Sequence, residues 1–110
     1  MTVDFELAGR AFSALNGGPG YPFNESMSIE VRCDTQDEVD RLWSRLTEDG
    51  EERPCGWLKD RFGVFWQVMP QLFFTLVDDP DPVKAQAAFA AMLQMRKIES
   101  SLLQEAYDRA

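Results

Sequence analysis

The sequence predicts a mixed α+β domain in which a hairpin and a strand–helix–strands unit precede a helical tail. Three observations predict it. Apolar residues alternate at period two in residues 2–7 and again in 27–33, the pattern of half-buried strands. The period lengthens to that of a helix from Thr35 to Gly50. Beyond Gln71, helix formers dominate after a break at Asp78-Asp79-Pro80.

Val3, Phe5 and Leu7 share one face of the first strand, with Asp4 and Glu6 on the other. Ala8-Gly9 is short enough for a two-residue turn, so residues 10–15 return as the second strand of a hairpin. Asn16-Gly17-Gly18-Pro19-Gly20 is a concentrated breaker and must be loop. A phosphate-binding loop would run directly into a helix, but Tyr21-Pro22-Phe23 follows, so the glycines read as a crossover. Met27, Ile29, Val31 and Cys33 then alternate with Ser28, Glu30 and Arg32.

Thr35-Gln36-Asp37-Glu38 has the spacing of a capping box. Val39, Leu42, Trp43 and Leu46 follow as one apolar stripe, and Gly50 is placed to end the helix in a left-handed cap. After the polar residues 51–54, where a short strand is optional, residues 55–60 and 64–69 read as two strands. Arg61-Phe62-Gly63 joins them, with Gly63 free to take positive φ. Residues 72–77 form a short apolar segment. Asp81 then caps a helix with Pro82 at its first position, continued by residues 83–95, and Leu102, Leu103, Ala106 and Tyr107 mark a final turn or two.

A chain of 110 residues with 45% hydrophobic and 12% aromatic residues has material for one core, and compact packing would give a radius of gyration of about 13 Å. Nineteen acidic against eleven basic residues leave a net charge of −8, which disfavours nucleic acid and anionic membranes as partners. The absence of histidine removes the usual general base and the usual zinc or iron ligand. Two cysteines are too few for a disulfide framework. The start MTVDFEL lacks a signal-peptide pattern, and no apolar run approaches a membrane span. The expectation is a reduced, cytoplasmic protein.

The run Cys55-Gly56-Trp57-Leu58-Lys59-Asp60-Arg61-Phe62-Gly63-Val64-Phe65-Trp66-Gln67-Val68-Met69-Pro70 resembles the signature of the PhnB-like family. That family belongs to the vicinal oxygen chelate superfamily, alongside glyoxalase I and bleomycin-resistance proteins. Ala14-Leu15-Asn16-Gly17-Gly18-Pro19, Cys33-Asp34-Thr35-Gln36-Asp37-Glu38-Val39-Asp40, Asp79-Pro80-Asp81-Pro82 and Met92-Leu93-Gln94-Met95-Arg96-Lys97-Ile98 match in the same order. The superfamily fold is two βαβββ modules whose curved sheets enclose a ligand cleft. The resemblance therefore implies a single domain over 1–110: a remnant hairpin of a first module (1–15), a complete second module (26–70) and a helical tail (71–110). The strand–helix–strand expected before the hairpin is missing, so the chain is either a shortened version or begins at an internal methionine. An unpaired sheet edge would remain, and a homodimer in which two chains complete each other is expected.

Metal-dependent members of the superfamily place ligands where this chain has Ser26, Gln67 and a residue near Ser13. Serine and glutamine are weak neutral ligands, so neither a metal nor another cofactor is expected. Periodicity gives an independent view of the same cleft. If the helix packs on Met27, Ile29 and Val31, then Ser26, Ser28, Glu30 and Arg32 face the other way, and Gln67 shares a face with Phe65 and Met69. Cys55, Trp57 and Lys59 share a face of the neighbouring strand, where Lys59 could lower the thiol pKa. The plainer alternatives are a solvated face at Glu30 and Arg32, a core role for Cys55, and core tryptophans at 57 and 66.

The candidate cleft residues are thus Ser13, Ser26, Ser28, Glu30, Phe65, Gln67, Cys55, Trp57 and Lys59, around a small organic ligand. A ligand-free dimeric interaction domain is the alternative. Domains of this type often carry the label 3-demethylubiquinone-9 3-methyltransferase. Methyl transfer is disfavoured because no glycine-rich loop lies between a strand and a helix.

Overall fold

The computed structural model describes residues 1–110. Strands β1 (Thr2–Leu7) and β2 (Arg10–Leu15) form a hairpin that pairs only with itself. Ala8 (φ 50°) and Gly9 (φ 79°) both have positive φ, as a type I′ turn requires, so Ala8 sits in a conformation costly for an L side chain. Phe5 lies opposite Phe12 with ring centroids 5.6 Å apart.

Strand β3 (Ile29–Cys33), helix α1 (Gln36–Thr47) and strands β4 (Glu51–Glu52), β5 (Trp57–Lys59) and β6 (Phe65–Pro70) form the second unit. The sheet order is β3-β6-β5-β4. β6 is parallel to β3 and antiparallel to β5, and β4 pairs antiparallel with β5. This is a complete βαβββ module. Helix α1 starts as its sequence dictates: Glu38 N–H donates to Thr35 Oγ1 at 3.2 Å. The reciprocal bond comes from Asp34 N–H to Glu38 Oε2 at 3.1 Å, one residue earlier than in the standard capping box. Val39 and Trp43 of α1 bury against Cys33, Leu58 and Val68, and Val39, Leu58 and Val68 are wholly inaccessible.

Helices α2 (Gln71–Val77), α3 (Pro82–Leu93) and α4 (Ser100–Arg109) form the tail. Asp81 caps α3 by accepting from Val83 and Lys84 N–H. Phe73, Leu76, Ala88, Met92, Ile98 and Leu103 make a second core, which reaches the sheet through Met69. The Gln36 amide ties tail to module, donating to Ile98 O (2.9 Å) and accepting from Ser100 N–H (2.8 Å). Lys97 adds bridges to Asp40 (2.8 Å) and Glu99 (3.4 Å). Within the tail, the Tyr107 hydroxyl donates to Asp79, which lowers the Asp79 carboxyl pKa and raises that of the phenol.

Several sequence expectations shift. The strand expected over 27–33 begins at Ile29, and Met27, 81% exposed, lies ahead of the ladder rather than under α1. The left-handed residue after α1 is Asp49 (φ 57°), not Gly50. Gly50 is needed for another reason, since a Cβ there would lie 2.3 Å from Lys59 O. The strand expected over 55–60 is reduced to Trp57–Lys59. Pro54–Gly56 form a 3₁₀ turn with Cys55 at φ 65°. Here the tail captures the backbone: Cys55 and Gly56 N–H donate to Met95 O and Arg96 O at 2.7 and 2.8 Å. The optional strand is β4, the helix through 83–95 stops at Leu93, and the last helix runs ten residues. The radius of gyration is 16.3 Å, with extents of 54 × 27 × 24 Å, larger than compact packing predicts because the hairpin stands apart.

Candidate functional site

Alternation along the four-stranded sheet sends one set of side chains under α1 and the other onto the opposite face. On that second face, register builds rows across strands. Glu30 lies opposite Gln67, and Gln67 opposite Trp57. Arg53 N–H donates to Trp57 O at 2.9 Å, which extends the row by one residue beyond β5. The result is a carboxylate, an amide, an indole and a guanidinium in sequence across the face. A neighbouring row runs Glu51–Lys59–Phe65, and Arg32 lies opposite Met69 on the other side.

The amide at the centre is oriented. Gln67 Nε2 donates to Ser28 Oγ at 2.8 Å, which leaves Oε1 as an acceptor on the open face. Phe65 beside it is buried, with the Arg53 guanidinium carbon 5.2 Å and the Lys59 ammonium 6.0 Å from its ring centroid. Arg53 is fixed by Glu51 (3.0 Å) and Glu25 (3.5 Å). Glu25, Arg53, Pro54 and Trp57 line a shallow hollow of about 260 Å³. The helical tail closes the face at the Met69 end. The arrangement offers an apolar and aromatic floor with a few convergent polar groups, the makeup of a small-molecule site.

Of the sequence candidates, Ser28, Glu30, Trp57, Lys59, Phe65 and Gln67 share this face. Three do not join them. Ser13 is on the separate hairpin, its hydroxyl donating to Asp4 at 2.5 Å. Ser26 is an exposed turn residue bonded to Asn24 Oδ1 at 2.5 Å. Cys55 leaves the Trp57–Lys59 stripe because its turn directs it to the tail core, where it packs beside Met69 and its helical neighbours. Sequence reasoning missed Arg53 and Glu25, which lie in loop segments without periodicity. The only signal was a lone arginine before Pro54, ahead of the tryptophan strand. Cys33, the other thiol, lies under α1, where burial, aided by Glu38 and Asp34, raises its pKa and keeps it protonated.

The metal positions implied by the superfamily do not fit an ion. Ser13 and Ser26 are elsewhere, which leaves a single neutral amide oxygen, Gln67 Oε1, at the implied positions. The residues present give no basis for a metal-dependent step.

Comparison with known proteins settles the family. The family model described as 3-demethylubiquinone-9 3-methyltransferase matches residues 1–69, more than half of the chain. The chain belongs to this family. A putative 3-demethylubiquinone-9 3-methyltransferase, PhnB protein, from Bacillus cereus is 28% identical with a TM-score of 0.56, over 64% of each chain. Protein PA1353 from Pseudomonas aeruginosa is 24% identical with a TM-score of 0.53, over 64% of this chain and 62% of that one, a likeness of fold alone. The chain thus covers less than two thirds of these relatives' length. No curated protein matches. The PhnB-type match spans the hairpin and the module, and the α2–α4 tail lies beyond the matched residues.

Proposed function

We propose that this PhnB-type chain binds a small organic ligand, without a metal, on the sheet face centred on Gln67, and works as a homodimer. The observation that carries the reading is the row Glu30–Gln67–Trp57–Arg53 with its amide pre-set by Ser28. Such a row has orienting groups over an aromatic floor, but its one carboxylate, Glu30, is paired with Arg32 and no nucleophile stands beside it, so the reaction, if there is one, is unassigned. The dimer is supported by the hairpin. Val3, Phe5, Leu7 and Phe12 are each 40% or more exposed on one face, an apolar surface that a second copy would cover. Two free cysteines fit a cytoplasmic setting.

Native mass spectrometry of freshly purified protein tests both parts. The expected result is a dimer carrying an organic adduct that Gln67→Leu or Trp57→Ala releases. A monomer would remove the dimer. A clean dimer, with no adduct regained from a metabolite mixture, would favour an interaction domain built on the hairpin instead. S-adenosylmethionine is expected not to bind, because no strand in this chain runs through a glycine-rich loop into a helix.

A further inference from the structure

A second feature stands at the other end of the sheet, where edge strand β3 meets helix α2. The Arg32 guanidinium lies over the Phe74 ring, 3.8 Å from its centroid, and its Nε donates to Glu30 at 2.7 Å. These two contacts fix the plane of the group while leaving both terminal nitrogens without a partner inside the chain. They border an open hollow of about 450 Å³ lined by Arg32, Gln71, Phe74, Thr75, Val77 and Asp78. The Gln71 side-chain amide on its wall is also unpartnered, and no carboxylate other than Glu30 lies within ion-pair distance of Arg32.

We infer that Arg32, held between Phe74 and Glu30, is a binding site for a small monocarboxylate, with Gln71 as a second donor. An arginine fork presents two parallel N–H groups that match the two oxygens of a carboxylate. Usually the cost of such a pair includes freezing the long side chain, and here the stack on Phe74 has already restrained it. Charge selects a monoanion. Glu30 neutralises the arginine and Asp78 lies on the rim, so the hollow already leans negative; a dianionic phosphate would be repelled more strongly than a monoanion, whose binding rests on the two N–H groups of the fork. The site shares Glu30 with the row through Gln67, but its argument does not need a ligand to bind there.

Titration with benzoate, followed in ¹H–¹⁵N spectra through the Arg32 Nε–Hε resonance and, in every variant including Arg32→Lys, through the backbone amides of Gln71 and Thr75, tests it, with benzamide as the neutral isostere. Saturable benzoate shifts, absent with benzamide, are expected. Arg32→Lys keeps the charge but loses the fork and should weaken binding about tenfold. Phe74→Leu, which leaves the guanidinium but removes its platform, should weaken it too, while Gln67→Leu should leave it unchanged. Backbone spectra away from the site report whether each variant is folded. Equal shifts from benzamide, no saturation, or a folded Arg32→Lys variant binding as the parent does would overturn the assignment.

Discussion

The hairpin and the βαβββ module are built from the same kind of sequence and end in opposite situations. Each contains a strand with clean period-two alternation, residues 2–7 in the hairpin and 27–33 at the start of the module. In the module, Cys33, Leu58 and Val68 on three of the strands meet α1, and Leu58 and Val68 become inaccessible. In the hairpin, all twelve strand residues are exposed, and Phe5 has only Phe12 beside it. A two-stranded ribbon alone is marginal in water. Alternation specifies which side of a strand wants cover, and something else must supply the cover. The tail makes the same point from the other direction. Its helices complete their core by packing on Met69, a residue of the module's open face.

Mutations should separate the two regions sharply. Leu58→Ala removes a wholly buried side chain between α1 and the sheet, and should cost about 2–5 kcal/mol in urea unfolding. A loss below about 1 kcal/mol would mean that the module core is looser than its burial indicates. Gly50→Ala should cost about 1–3 kcal/mol, because the new Cβ meets the Lys59 carbonyl and must push β4 from β5. Hydrogen exchange should show that loss first at Lys59, whose pairing with Glu51 would open.

In the hairpin, Phe5→Ala should change monomer stability by only about 0.5 kcal/mol. If two copies cover this face, the same substitution should instead lower the melting temperature in a concentration-dependent way and shift the mass by light scattering. Ala8→Asn tests the turn and should stabilise the hairpin by about 0.5 kcal/mol, since asparagine tolerates the positive φ that alanine resists. Cross-strand NOE intensity between Phe5 and Phe12 would report it.

The module–tail contact at Asp40 and a clamp within the tail at Asp79 have their own signatures with pH. Bonds from Lys97 and then Gln36 lower the Asp40 carboxyl pKa, and the Tyr107 hydroxyl lowers that of Asp79. A depressed carboxylate contributes stability above its unfolded pKa and loses it as pH falls through the folded value. Amide protection in α3 and α4 should therefore fade as pH drops below the ordinary aspartate range, near ~3.9. Asp79→Asn should flatten that dependence, and an unchanged profile in the variant would show that the clamp does not govern the tail.

Much of this protein was determined by sequence alone. Thr35, the Val39–Leu46 stripe and Asp81-Pro82 set helix starts through bonds to neighbours a few residues away. The Ala8-Gly9 and Asp60–Gly63 turns are equally local, and the family was readable from the run at 55–70. Alternation also placed Glu30 with Arg32 and Phe65 with Gln67, because strand period needs no partner. Tertiary structure decided the rest. It joined Arg53 to Trp57 and Ser28 to Gln67 across the fold, shortened β5 by drawing Cys55 and Gly56 to the tail, and set Arg32 on Phe74. It also made Gly50 indispensable through a contact nine residues away. Contacts of that kind depend on which strands come together and in what register, and no local pattern encodes the partner.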